Sequence, residues 1–85
     1  MYCSVFRSSR KAFTYLYLHP ERLIEDLPES LLKAFGEPIH VLDLELTPRR
    51  KLATENVKTV IGNLRTQGYH LQLPPGDELP DELRG

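Results

Sequence analysis

The chain has 85 residues, 40% of them hydrophobic, and eleven basic against twelve acidic side chains give a formal charge of −1. This size predicts one small soluble domain and excludes a large substrate pocket enclosed within a single copy. The near-zero charge gives no overall signal for nucleic acid, although the last nine residues hold four acids and only one arginine.

Cysteine content and hydropathy limit where such a chain would work. Cys3 is the only cysteine, which excludes an intrachain disulfide and favours a reducing cytoplasm. The N-terminal residues lack the apolar core of a signal peptide, and no apolar run approaches the roughly 20 residues of a membrane helix. We therefore expect a cytoplasmic protein with no membrane segment.

Two strand-like runs come first in the chain. Residues 1–6 alternate weakly, with Cys3 and Val5 on one face, and residues 13–19 are rich in aromatic and β-favouring side chains. The short polar segment between the two runs predicts a β-hairpin. Because the second run is apolar on both faces, we expect it to be a central strand covered on both sides.

Two prolines divide the following segment, residues 20–36. Pro20 and Pro28 each suit the start of a helix, and apolar residues follow each of them at helical spacing. Gly36 suits the end of the second helix because glycine readily adopts a left-handed conformation. We predict two short helices that persist only by packing on a sheet.

A strand and a longer helix follow. Residues 38–47 alternate strictly, with three leucines on one face and the acids Asp43 and Glu45 on the other. Thr54 is the predicted N-cap of a helix with an apolar i, i+3, i+4, i+7 stripe, and Gly68 ends that helix.

The last predicted strand is 69–73, because Pro74 and Pro75 cannot donate to a strand ladder. Helical crossovers favour parallel pairing, whereas the hairpin is antiparallel. We therefore predict an α+β fold, a small α/β sandwich in which helices pack on a mixed four-stranded sheet with element order ββααβαβ. Residues 1–75 form a single domain in this prediction, and residues 76–85 form a flexible acidic tail.

Several short segments together carry a family resemblance: RSSRK, TYLYL, LLKAFG, RKL and QGYHLQLPP. Through them the chain resembles the YcgL family of small bacterial proteins from about Cys3 to Pro75, and the last segment is the most specific. The resemblance implies a compact α/β-type domain in a bacterial cytoplasm with no established biochemical activity. It implies no catalytic or binding residues.

Residues suited to catalysis or metal binding are few. Cys3, His19, His40 and His70 are widely separated and lack metal-ligand spacing, so we expect surface or capping histidines and a buried cysteine. The sequence contains no glycine-rich phosphate loop, and the acids of LDLEL are interpreted as a solvated strand face. We therefore expect no metal, no cofactor and no thiol–histidine nucleophile.

Two short basic segments form the candidate nucleic-acid or phosphate site. RSSRK supplies a turn with two small hydroxyl residues, Ser8 and Ser9, whose backbone N–H groups could join an anion nest, and TPRRK lies near a helix start. If the fold brings both segments to one edge, six cations face one region, and exposed tyrosines such as Tyr2 or Tyr15 could stack on bases. The six candidates are Arg7, Arg10, Lys11, Arg49, Arg50 and Lys51.

Three functional hypotheses follow. The first is a non-enzymatic module that binds an unknown protein partner or a second copy of itself, since an exposed strand edge readily pairs with another chain. The alternative is a weak RNA or phosphate binder that uses the two basic segments, and the third hypothesis is an enzyme whose site is not visible in the sequence. Leu79 and Leu83, four residues apart, form a small candidate docking stripe for another protein or for the chain's own basic segments.

Overall fold

The computed structural model describes residues 1–52 and 55–74. The predicted N-cap Thr54 and the predicted tail, residues 76–85, lie outside the described residues. The strands are β1 (Tyr2–Ser8), β2 (Tyr15–Leu18), β3 (Pro38–Glu45) and β4 (Tyr69–Gln72), and the helices are α1 (Glu29–Phe35) and α2 (Val57–Gln67).

The four strands form one sheet in the order β3–β1–β2–β4, and every pairing is antiparallel. The predicted α+β fold and four-stranded sheet are confirmed, whereas the predicted mixed pairing is wrong. The strands β2 and β3, joined by α1, do run parallel to each other, as a helical crossover favours. They are not neighbours, however, because β1 lies between them and is antiparallel to both.

Helices cover both faces of the sheet, and a separate hydrophobic core lies on each face. On one face α2 packs over β2 and β4, and this core contains Cys3, Val5, Tyr17, Leu46, Val57, Val60, Ile61 and Leu64. The core on the other face contains Leu16, Leu18, Leu27, Leu31 and Phe35. The strand β2 contributes buried side chains to both cores, which confirms the predicted central strand covered on both sides.

The first of the two predicted short helices is reduced to a single 3₁₀ turn, Ile24–Asp26. Pro20 lies instead in a turn closed by the Arg22 N–H, which donates to the His19 carbonyl at 3.0 Å. Pro28 is the N-cap of α1. Proline cannot donate the backbone N–H that a continuing helix needs, so the short stretch between the two prolines cannot extend into α1.

The boundaries of α2 are set by its caps. The side chain of Asn56 accepts hydrogen bonds from the N–H groups of Lys58 and Thr59 at 2.9 and 3.3 Å. The N-cap is therefore Asn56, and the prediction of Thr54 as the N-cap is wrong. Gly68 ends the helix with a φ of 89°, in the left-handed region, which confirms the predicted end. Among the described residues, no helix has the length and apolar character needed to span a membrane.

Candidate interaction surface

The strand β3 forms one edge of the sheet, and its outer side has no neighbour among the described strands. It is eight residues long, and six of those residues are exposed. The side chains of Ile39, Val41 and Leu42 are 36%, 44% and 43% exposed. These aliphatic groups remain in contact with solvent because α2 lies over β2 and β4.

Pairing with β1 determines the direction of the β3 side chains. Leu42 and Leu44 lie opposite residues of the α2-side core, and Asp43 points to the other face, which confirms the predicted alternation. The register shifts beyond Leu42, so Val41 has no partner on β1. Such a bulge bends and twists an edge strand, and here the unpaired residue of the bulge is the exposed Val41.

The opposite edge strand, β4, differs from β3 in length and exposure. It has four residues, all of them buried or half-buried. Pro74 follows two residues later and cannot donate to a further strand. Short edge strands and prolines are common means of preventing edge-to-edge pairing, so β3 is the edge that remains suited to it.

A polar cluster lies on the α1 side of β3. The Asp43 carboxylate accepts a hydrogen bond from the Ser4 hydroxyl at 2.9 Å and lies 3.0 Å from His40 Nε2. These bonds, first from His40 and then from Ser4, lower the pKa of Asp43. The serine donates to the carboxylate rather than to the imidazole, so the cluster lacks the geometry of a serine nucleophile activated by histidine.

His70 belongs to the interior, and the expectation of a surface or capping histidine is wrong for this residue. It is 8% exposed, and its Nδ1 lies 2.9 Å from the Asn63 side-chain nitrogen. Its Nε2 lies 3.2 Å from the Glu55 carboxylate, within ion-pair range but without the geometry of a hydrogen bond. The imidazole thus connects β4 to α2 and to the segment that precedes α2.

Tyr17 and Cys3 occupy the same core as His70. The Tyr17 hydroxyl donates to Gln72 Oε1 at 2.7 Å, and its ring meets His70 edge-on with centroids 5.7 Å apart. Burial raises the pKa of Tyr17, with smaller contributions from Glu55 and Cys3. Burial, followed by the Asp43 charge, raises the pKa of Cys3 to about 11, so the thiol stays protonated at neutral pH.

The cysteine and the histidines do not converge. Cys3 and His70 lie on β1 and β4, which β2 separates, and they are offset by two residues along the strands, so their backbones are about 12 Å apart. His19 follows the end of β2, and His40 lies on the other face of the sheet. Within residues 1–52 and 55–74, no three histidine, cysteine or acidic side chains are placed to hold a metal ion.

The six candidate basic residues lie in two separate places. Arg7 lies near the end of β1, Arg10 and Lys11 lie in the hairpin turn that follows, and the other three belong to the loop after β3. Because β1 and β3 are antiparallel, the end of β3 lies beside the start of β1. About 20 Å of strand therefore separates the two groups, which do not form a single patch. All six are exposed: Arg7, Arg10, Lys11, Arg49, Arg50 and Lys51.

Ser8 anchors the hairpin turn between β1 and β2. Its buried hydroxyl donates to the carbonyl of Phe35, at the end of α1, and accepts the N–H groups of Arg10 and Lys11 at 3.1 and 2.9 Å. The predicted anion nest was to use the backbone N–H groups of Ser8 and Ser9, but the Ser8 N–H donates to the Thr14 carbonyl at 2.9 Å, so it is not available to an anion. The sequence does not indicate the bond from the Ser8 hydroxyl to Phe35, since this partner is distant in sequence.

Phe13 presents an aromatic ring in the same turn. Its φ is 56°, in the left-handed region, and its side chain is 75% exposed. A bulky residue rarely adopts this conformation, which costs about 1–2 kcal/mol. The sequence pattern placed Phe13 in the second strand. The structure places it in the hairpin turn with Arg10 and Lys11.

The fold and its surface define a class of protein: a small α+β domain in which helices cover both faces of one antiparallel sheet and an apolar edge strand is exposed. The model of the YcgL domain family matches residues 3–75. The chain is 50%, 49% and 48% identical to YcgL domain-containing proteins of Pseudomonas aeruginosa, Pseudomonas fluorescens and Pseudomonas putida. Each alignment covers 95% of this chain and 89% of the relative.

The chain therefore belongs to the YcgL domain family, as the short segments of its sequence indicated. The names of these relatives identify the domain and state no activity.

Proposed function

We propose that this protein is a non-enzymatic interaction module that pairs with a second copy of itself through the outer edge of β3. The observation that supports this most is the contrast between the two sheet edges: β3 is long and exposes Ile39, Val41 and Leu42, whereas β4 is short and followed by Pro74. The outer side of an edge strand presents N–H and C=O groups that another strand can satisfy. Two copies related by a two-fold axis would satisfy them reciprocally.

The charges along β3 favour an antiparallel arrangement of the two copies. His40 lies in the first half of the strand, and the acids Asp43 and Glu45 lie in the second half. In an antiparallel pair, the first half of one strand faces the second half of the other. This brings each imidazole toward the carboxylates of the copy, whereas a parallel pair would place like charges side by side. The proposal includes a cytoplasmic location, which the single cysteine favours.

Light scattering on the full chain tests this proposal. One chain has a mass of 9.8 kDa, and the measured mass is expected to rise toward twice that value as protein concentration increases. Val41→Lys places a charge at the centre of the edge and should keep the protein at the mass of one chain. Thr59→Lys, on the exposed surface of α2, is the matched control and should associate as the unmodified protein does.

Two results would contradict the pairing of β3. One is a mass of one chain at every concentration. The other is a Val41→Lys variant that associates as strongly as Thr59→Lys. Circular dichroism on both variants shows whether each retains the fold, so that a loss of association can be assigned to the edge.

A second candidate function is binding of single-stranded RNA by the hairpin turn. The exposed ring of Phe13 supports it, because bases stack on aromatic side chains beside cations that contact phosphates. Fluorescence anisotropy with a labelled RNA oligonucleotide at low salt is expected to show binding that weakens steeply as salt is added. Phe13→Ser, or Arg7→Glu with Lys11→Glu, should abolish it.

The other basic loop supplies the control for this experiment. Arg49→Glu with Arg50→Glu makes the same change of charge about 20 Å away. If RNA binds at the hairpin turn, this variant retains most of the affinity. Absence of binding at low salt, or equal loss in both double variants, would exclude the hairpin turn as a specific site.

A further inference from the structure

A small apolar groove lies between α1 and the end of β4, at the edge of the sheet opposite to β3. Its volume is about 20 Å³, enough for the end of one aliphatic side chain. The residues that line it include Leu31, Ala34, Phe35, Leu71, Leu73 and the exposed Lys11. The groove therefore combines apolar walls with a cation, and it suits a leucine that has a carboxylate beside it.

The end of β4 lies beside both the groove and the basic hairpin turn. Gln72 pairs with Tyr15, at the start of β2, and Leu73 lines the groove itself. The sequence that follows Leu73, PPGDELPDELRG, contains the triplet Asp-Glu-Leu twice, at 77–79 and 81–83. Leu79 is six residues beyond Leu73, and six residues span at most about 22 Å, so Leu79 stays within reach of the groove that Leu73 lines.

We propose that this groove is the docking site of the chain's own segment 76–85, with Leu79 in the groove and Asp77 and Glu78 beside the hairpin turn. Two independent features support this occupant. The chain passes the groove just before the segment begins, and the four acids of the segment complement the two cations of the turn, Lys11 in the groove lining and Arg10 beside Gly36 at the end of α1. An acidic segment at this position would occupy the same cations that the second candidate function assigns to RNA phosphates.

A spin label near the first triplet tests the proposal in the full chain. Pro80→Cys provides the attachment point, because the buried thiol of Cys3 reacts poorly. In methyl NMR spectra, the signals of Ala34 and Leu71 are expected to lose at least half of their intensity relative to Ile61, on the other face of the sheet. Adding Leu79→Ser to the labelled chain should restore most of that intensity.

The charges are tested by a matched pair of variants. Lys11→Glu should restore part of the lost intensity, whereas Lys58→Glu, on α2 across the sheet, should leave it unchanged. Added salt should act in the same direction as Lys11→Glu, because exposed charges are screened.

Three results would overturn the proposal. The first is broadening at Ala34 that is the same with Leu79 and with serine at that position. The second is equal broadening of Ala34 and Ile61. The third is broadening that appears when spin-labelled chains are mixed with isotope-labelled chains carrying no spin label, which would place the segment on a neighbouring copy. The first two of these results do not depend on whether β3 pairs with a copy.

Discussion

Replacing Ser8 with alanine tests how the hairpin turn is attached to the rest of the fold. The Ser8 hydroxyl makes three hydrogen bonds: it donates to the Phe35 carbonyl and accepts the N–H groups of Arg10 and Lys11. Each such bond contributes about 0.5–1.5 kcal/mol net, which gives roughly 3 kcal/mol for the set. Arg10 and Lys11 are exposed, so water replaces part of what their N–H groups lose. We expect Ser8→Ala to lower the free energy of unfolding by about 2 kcal/mol.

Urea and thermal unfolding, followed by circular dichroism, measure this loss. For a domain of this size, 2 kcal/mol corresponds to a fall in Tm of roughly 8–16 °C. Ser9→Ala, at the exposed neighbouring position, should change stability by less than about 0.5 kcal/mol. Ser8→Thr keeps the hydroxyl and should retain most of the stability. If Ser8→Ala unfolds at the same urea concentration as Ser9→Ala, the hydroxyl does not anchor the turn.

Four further predictions concern the cores, a cap, the turn and the thiol. Leu16→Ala removes a fully buried side chain of β2 and should lower the free energy of unfolding in urea by about 4 kcal/mol. A loss below about 1 kcal/mol would contradict the burial of β2 on the α1 side. Asn56→Ala removes the N-cap of α2 and should cost about 1 kcal/mol by thermal unfolding, whereas no change would place the helix start elsewhere. Phe13→Asn should raise stability by about 0.5–1 kcal/mol, because asparagine tolerates a positive φ and an exposed ring loses little packing; a lower Tm would show that the ring makes a contact. Burial raises the pKa of Cys3 from 9.0 to about 11. The protonated thiol therefore contributes fully to the free energy of unfolding below pH 9, and this contribution is lost as the pH rises through 11. This shift corresponds to roughly 3 kcal/mol, so urea unfolding of Cys3→Ala between pH 8 and 11 should show a smaller decline in stability than the unmodified protein. Equal declines would exclude the thiol as their source.

Hydrophobic periodicity located most elements to within a few residues. The strand predicted at 38–47 is Pro38–Glu45, and the strand predicted at 69–73 is Tyr69–Gln72. Each of these segments contains its own signal, namely alternation along the strand and proline or glycine at its ends. The order of the strands has no such local signal. After α1, the chain could add β3 at either edge of the β1–β2 pair. Side-chain packing, which has no local signal in the sequence, decides that β3 lies next to β1.

The sequence predicted that a strand edge is exposed, but it did not predict which strand provides that edge. The order of the strands in the sheet shows that it is β3. The roles of Ser8 and His70 depend on partners far away in the chain, Phe35 and Glu55, so their positions in the sequence resemble ordinary turn and strand residues. The two basic segments also look equivalent in sequence, and the antiparallel register of β1 and β3 is what separates them.

The exposure of β3 follows from the dimensions of helices and strands. A helix is about 10 Å across with its side chains, and neighbouring strands lie about 4.8 Å apart, so one helix covers about two strands. Here α2 lies over β2 and β4, and the α1-side core is built mainly on β2. Within residues 1–52 and 55–74, one helix on each face therefore leaves part of the four-stranded sheet uncovered, and the β3 edge is that part. A second molecule placed against β3 would cover it. Such a molecule would also satisfy the hydrogen-bonding groups along the outer side of the strand.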